Sequence, residues 1–398
     1  MSWPMISLGE LVDIKGGGTP DKSNSEYWNG EIPWASVKDF KKNTLDSTFD
    51  SITPLGVKNS ATSVIPAGNI IVPTRMALGK VAINTIDLAI NQDLKALFIK
   101  DNNVVDRDYL FRWLESQSSL IESEGKGATV KGITLPFLRG LNVPIPPLSE
   151  QKRIAVILDK AERIRRKREQ AIKLAGDFLR STFLAMFGDP VSNPKGWKVK
   201  PLKELSVKIA SGSTPKGGSK VYVDKGITFF RSQNVWKNDI RLDGVAYIDE
   251  KTHSSLKKST LKHKDILMTK TGRFNTENSS LGRAALFLGE DDSANVNGHV
   301  YLIRLKSEML HEFIVYILTS NEYREHIREV CVGGIDKRQL NKEHIEDFPI
   351  ICPPDDLQKE FMRKLNSIQK IRSNAMTGLK EVIPLFNTLN QKAFSDGF

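Results

Sequence analysis

The chain is poor in the residues that usually announce chemistry. Its 398 residues include two cysteines, Cys331 and Cys352, and six histidines. Two cysteines cannot staple a chain of this size, and they form no CxxC pair, so a reducing cytoplasm is the expected setting. The histidines, at 253, 263, 299, 311, 326 and 344, never fall at HxxxH or HExxH spacing, which removes the common zinc patterns. No apolar run approaches the roughly 20 residues of a membrane span. The opening "MSWPMISLGELVDIKGG" has no basic stretch followed by an apolar one, so neither a signal peptide nor membrane attachment is expected. A GxxxxGK[ST] phosphate loop is missing, and "KGGGTP" and "GKGATVKG" lack GxGxxG spacing. "IPPL" and "CPPD" carry the prolines of the [DN]-P-P-[YF] methyltransferase motif without its flanks. Acidic residues are also in deficit, 47 against 58 Lys and Arg, giving a net charge of +11. That balance suits a polyanionic partner, with nucleic acid ahead of membrane.

What is present is a repeat. "ISLGELVDIKGGGTP" from Ile6 resembles "KPLKELSVKIASGSTP" from Lys200. In the same order, "EIPWASVKDF" pairs with "GITFFRSQNV", "NIIVPT" with "DILMTK", "LGKVAI" with "LGRAAL", and Asn91 with Asn297. "DYLFRWL" then pairs with "EFIVYIL", and "PPLSEQKRIAVIL" with "PPDDLQKEFMRKL". Each match alone is weak, but seven in one order make a duplication. Short apolar runs such as "NIIVP", "KALFI" and "HVYLIRL", bounded by Gly, Pro, Asn and Asp, read as strands. Each half is therefore expected to be a mainly β domain with one inserted helix, followed by a long helix. The expected divisions are 1–147, 148–188, 189–354 and 355–398.

The two long helices show apolar residues at steps of three, four and seven, the pattern of a coiled-coil seam. Ile157, Ile164 and Leu179 mark the first seam, and Leu365, Ile371 and Leu379 the second. Ser149 and Asp355 or Asp356 are candidate N-caps after each Pro-Pro. Pro384 is expected to kink or end the second helix. About 38 residues would give a rod of roughly 55 Å. A folded domain between the two helices lets them pair antiparallel. The architecture so read is α+β, with two mainly β domains, two long antiparallel helices and a pseudo-two-fold repeat.

Polar and basic residues fall at matched loop positions. Lys15 and Thr19 face Thr214 and Lys216; Ser36 and Lys38 face Arg231, Gln233 and Asn234. Arg75 and Lys80 match Lys270, Arg273 and Arg283, while Asn91, Gln92 and Asp93 match Asn297, Gly298 and His299. Lys126, Thr129 and Lys131 match Lys337, Arg338 and Gln339. These side-chain types contact base edges and phosphates. Any one of them is more often a turn or solvated residue; the set as a whole points to DNA. The letters differ between halves over a retained framework, as expected of two readers of different sequences. The run 150–173 holds nine Lys and Arg against four Asp and Glu, as a solvated face, a partner-docking face or a phosphate strip would. Two other functions stay open on residues alone: a stand-alone DNA nuclease or methyltransferase, and a coiled-coil scaffold that touches no nucleic acid. No acidic trio in one half is matched in the other, which favours binding over catalysis.

With its tandem halves, "LGELVDIKGGGTP", "EIPWASVKD", "PIPPLSEQKRIAVILDKAERI" and the junction "FLRSTFLAMFGDP", the chain resembles the specificity subunit of a type I restriction-modification enzyme. The likeness spans nearly the whole chain. The second "PPDDLQKEFMRK" keeps Gln358 and Lys359 but loses the Ser-Glu of the first copy. The resemblance implies a non-catalytic, prokaryotic, cytoplasmic chain with two target recognition domains. Each would read half of a split double-stranded DNA target, with the helices setting the gap. It further implies docking of two methyltransferase (modification) subunits and of restriction subunits. S-adenosylmethionine, ATP and Mg²⁺ would bind those partners, and no cofactor or metal this chain.

Overall fold

A computed structural model describes residues 3–127, 131–273, 279–334 and 336–395. The chain divides into two compact units, Met1–Gln170 with Ala375–Phe398, and Ala171–Asn374.

In the first unit a five-stranded sheet runs in the order Val12–Gly16, Leu94–Ile99, Ile70–Pro73, Ala82–Asn84, Thr44–Leu45. "NIIVP" and "KALFI" supply its centre, and alternate residues bury opposite faces, as a strand's two-residue period requires. Ile70, Val72 and Leu97 pack with Tyr109, Leu110, Trp113 and Leu114 of the helix Arg107–Ser116. Ile71, Leu94 and Ala96 face the other way, toward Ala35, Leu88 and Ile90. Those three belong to a second sheet, ordered Asp50–Ile52, Trp28–Ala35, Leu88–Ile90, Val64–Ile65.

The second unit repeats the plan. Its four-stranded sheet runs Ser206–Ser211, Val300–Leu305, Ile266–Thr269, Ala284–Leu286. Ile266, Met268, Tyr301 and Ile303 face Phe313, Ile317 and Leu318 of the helix His311–Leu318, while Leu267, Val300 and Leu302 face Phe230 and Val296. A three-stranded sheet of Ala246–Ile248, Ile227–Phe230 and Ala294–Val296 stands where the first unit has its second sheet. Both units carry the same parallel pair there, Trp34 opposite Ala89 and Phe229 opposite Asn295.

The central helix spans Leu148–Phe187 and the distal helix Asp355–Ser395, each about 60 Å long. In the first unit Ile154, Ala155 and Leu158 share a core with Ala393, Leu389 and Phe394, and Phe394 lies 5.6 Å from Tyr109. In the second unit Phe183 and Phe187 pack on Phe361 and Leu365, with Phe187 and Phe361 rings 5.6 Å apart. The start of one helix meets the end of the other in both units, so they run antiparallel.

Three details depart from the sequence reading. Ser149, Asp355 and Asp356 are not caps, because each helix begins directly after its Pro-Pro. A glutamine closes each junction instead. Gln151 Nε2 donates to the Pro146 carbonyl at 2.9 Å, and Gln358 Nε2 donates to the Pro353 carbonyl at 2.8 Å. Pro384 does not end the distal helix, which continues through it to Ser395. In the seam, Leu365 is buried and Ile157, Leu179 and Leu379 are half-buried, but Ile164 and Ile371 are 48% and 61% exposed. At 100° per residue, Ile164 points about 120° away from buried Leu158, and Ile371 about 120° away from Leu365. Near-in-phase Glu162 and Arg165 continue the buried stripe of the central helix, so a polar network stands where an apolar heptad was expected. Glu162 accepts from Arg165 at 2.8 Å and from Arg166 at 2.5 Å, and Arg165 also reaches Glu169 at 2.6 Å.

Candidate nucleic-acid interface

Each unit builds the same backbone cradle from residues far apart in sequence. In the first, Asn91 N donates to Ala35 O at 3.0 Å, and Asn91 Oδ1 accepts from Asp93 N at 3.1 Å. Thr74 N donates to Asp93 O at 2.8 Å, and Gly18 N to Ile90 O at 3.0 Å. In the second, Asn297 N donates to Phe230 O at 2.9 Å, and Asn297 Oδ1 accepts from His299 N at 3.1 Å. Lys270 N donates to His299 O at 2.9 Å, and Ser213 N to Val296 O at 3.0 Å. The loop crosses so closely that a Cβ on Gly17 would lie 1.9 Å from Ile90 O, and one on Gly212 2.2 Å from Asn297 O. Glycine is required there for close approach. A tight turn beside each cradle is closed alike: Asp39 accepts from Ser36 N at 2.7 Å, and Asn234 from Arg231 N at 3.0 Å.

One cavity opens on the first cradle, and another lies beside the second unit's turn at Ser232 and Gln233. The first, about 720 Å³, brings together Thr19, Ser36, Lys38, Asn91 and Gln92 with Trp28, Trp34 and Asp93. Thr19 Oγ1 hydrogen-bonds Gln92 Oε1, and the two indoles meet edge to face at 5.1 Å. The second, about 500 Å³, brings together Gln233, Arg273, Arg283 and Lys337 with Trp236 and Thr271. Arg241 and Arg283 lie 3.7 and 3.8 Å from the Trp236 ring centre, so near that they must occupy opposite faces. Arg283 is steered by its Nε, which donates to Ser279 O at 3.0 Å. Burial, then the Arg324 and Arg241 charges, push the Arg283 guanidinium below its ordinary pKa. Burial, then Arg324 and Arg372, do the same to Lys237. This face has an excess of cations that an anion such as a phosphate would relieve.

The other expected contact residues lie outside the two cavities or line the first from nearly buried positions. Asn234 is wholly buried and donates to Arg241 O at 3.0 Å, so it is framework and not a reader. Ser36 and Asn91 line the first cavity but are nearly buried, as is Asn297, and both asparagines cap turns with their side-chain oxygens. Lys80 turns inward to Phe40 O at 2.9 Å, and Lys15 lies 4.6 Å over the Phe98 ring. Lys270 sits 5.5 Å over Tyr301, and Arg231 donates to Gly244 O at 2.5 Å. Arg338 and Gln339 belong to the strand Lys337–Gln339, paired with Thr271–Gly272. Lys126 bridges to Gly132, Lys131 precedes that glycine, and both lysines stay exposed, as do Thr214, Lys216 and His299. Arg75 Nη1 approaches Asp93 at 3.7 Å. Thr129 lies outside the described residues. The sequence reading missed Trp28, Trp34, Trp236 and Arg241. Tryptophans beside lysine and arginine in "EIPWASVKD" and "RSQNVWKNDIR" were the available signal.

Among the described residues no group of three or more His, Cys, Asp or Glu could hold a metal ion, and no helix is long and apolar enough to cross a membrane.

A sequence profile described as the type I restriction modification DNA specificity domain matches residues 2–174 and 194–385. The MjaIX type I specificity subunit of Methanocaldococcus jannaschii is 25% identical over 379 residues, covering 90% of this chain and 85% of its own. The EcoR124I/EcoR124II specificity subunit of Escherichia coli is 38% identical over 161 residues, 39% of each chain. The S subunit of a type I restriction-modification system from M. genitalium has a similar fold, with a TM-score of 0.62 at 16% identity, over 100% of this chain and 97% of its own.

Proposed function

Because the chain belongs to the type I restriction-modification DNA specificity family, we propose that its two recognition regions read separate halves of one double-stranded DNA target and that its paired helices set the gap between them. The role of a specificity subunit is DNA target recognition, and it is non-catalytic. Residues 1–147 and 189–354 are the two readers, and 148–188 and 355–398 the spacer. Two modification subunits dock on the helices and flanking domains, and restriction subunits complete the assembly in the cytoplasm. S-adenosylmethionine, ATP and Mg²⁺ bind those partners.

One observation carries this reading. The same cradle occurs twice, with the same backbone bonds and paired asparagines, but the side chains on it and in the turn beside it differ, Asp93 and Lys38 in one unit against His299 and Gln233 in the other. Retained backbone with changed letters is what two readers of different sequences need. Lys38 and Gln233 occupy the same position in their two turns, and both are exposed at a cavity.

The test is to produce the chain with its modification subunits in a methylation-free host and map the modified adenines. A two-part motif with a fixed gap is expected, and Gln233→Ala should alter one part only. A single contiguous motif contradicts the two-reader arrangement. Turnover of DNA by the chain alone with Mg²⁺ and S-adenosylmethionine would make it an enzyme. DNA binding that is absent, or insensitive to salt, would make it a scaffold.

A further inference from the structure

Asp93 is only 6% exposed, yet it lines the cavity of the first recognition region. Its Oδ1 is buried without a hydrogen-bond partner. The nearby cation, Arg75 Nη1, stands 3.7 Å away, beyond hydrogen-bonding reach. The backbone of Asp93 is held firmly meanwhile. Its N–H donates to Asn91 Oδ1 at 3.1 Å, and its carbonyl accepts from Thr74 N at 2.8 Å and Thr74 Oγ1 at 3.1 Å. A carboxylate oxygen placed this rigidly and left without a donor is costly unless something supplies one.

We propose that Asp93 is a specificity-determining residue: its carboxylate accepts a hydrogen bond from the exocyclic amino group of one base in the target, cytosine N4 or adenine N6. These are the amino groups the major groove offers, whereas thymine O4 and guanine O6 present acceptors there and would face the carboxylate with like polarity. Arg75, 3.7 Å away, supplies the balancing charge while leaving the bond itself to the base. In the second region the equivalent place, fixed by Lys270 N to His299 O and by Asn297 Oδ1, holds an exposed histidine. The two regions therefore ask for different partners at the same point of the cradle.

The inference rests on the proposed two-reader function, and one experiment separates the two. The wild-type chain, Asp93→Asn and Asp93→Ala are each assembled with the modification subunits, and methylated sites are mapped. A wild-type motif that is not in two parts defeats the functional reading itself. Given a two-part motif, both variants should relax one position of one half-site from an amino-bearing base toward thymine or guanine. The preference there should fall roughly 5- to 150-fold, and the other half-site should be unchanged. Asp93→Asn is nearly isosteric and retains the backbone bonds, so it tests the contact if the alanine variant folds poorly. An unchanged motif makes Arg75 and Asp93 a structural pair only and overturns the proposal. Changes in both half-sites, or complete loss of modification by the folded asparagine variant, overturn it as well.

Discussion

Replacing Gln151 and Gln358 by alanine, one at a time, should give very different results although both stand at the same place in the repeated Pro-Pro element. Gln151 is wholly buried. Its Oε1 accepts from Asp106 N at 2.8 Å, and its Nε2 donates to Val104 O and Pro146 O, each at 2.9 Å. Asp106 in turn caps the helix Arg107–Ser116, accepting from Asp108 N and Tyr109 N. One side chain thus ties the Pro-Pro junction to the N-terminus of the inserted helix. Gln151→Ala leaves three backbone groups without their partner, at about 1–3 kcal/mol for each that stays unsatisfied. Water entering the space recovers part, leaving a net loss of about 3–5 kcal/mol. Gln358 is half-buried and makes one such bond, to Pro353 O, so Gln358→Ala should cost about 0.5–1.5 kcal/mol. Hydrogen exchange read residue by residue is the suitable assay, because a chain of two units need not unfold in one step. In Gln151→Ala the amide of Asp106 should lose protection together with the first turn of its helix, while amides of the second unit keep theirs. Equal losses in the two variants, or a protected Asp106 amide in Gln151→Ala, would refute the reasoning.

Three more outcomes follow from the geometry. Leu365→Ala, in the aromatic core around Phe361, should lose about 2–5 kcal/mol by denaturant titration, whereas Ile371→Ala, at a 61% exposed position, should change stability by less than about 0.5 kcal/mol. Burial opposes ionisation of Glu162, but hydrogen bonds and charges from Arg165 and Arg166 prevail and hold its pKa below the ordinary 4.5. Its contribution is therefore present above pH 4.5 and lost as pH falls through the lower folded value, so melting curves of wild type and Glu162→Gln should converge in acid. Lys337→Ala, at the second cavity, should reduce the slope of log affinity for DNA against log salt by about one, measured by fluorescence anisotropy.

The sequence by itself determined the duplication, the strands, the two long helices and the class of protein. These are written in local signals: apolar runs between turn residues, three-and-four spacing, and Pro-Pro followed by glutamine. Periodicity fell short where a polar network replaced the seam. A heptad count assigned Ile164 and Ile371 to the helix interface, but Glu162 and Arg165 fill that face in the central helix, and their mutual pairing is what lets charged residues lie there. The roles of the loop residues were the tertiary structure's decision. Asn91 is aimed by a bond from its N–H to Ala35, 56 residues earlier, and Asn297 by one to Phe230, 67 residues earlier. A loop side chain points where such distant bonds hold its backbone, so sequence could nominate Asn234 and Gln233 alike. Only the folded chain turned Asn234 inward as framework and left Gln233 at the cavity, because burial and direction belong to neighbours that adjacent letters do not name.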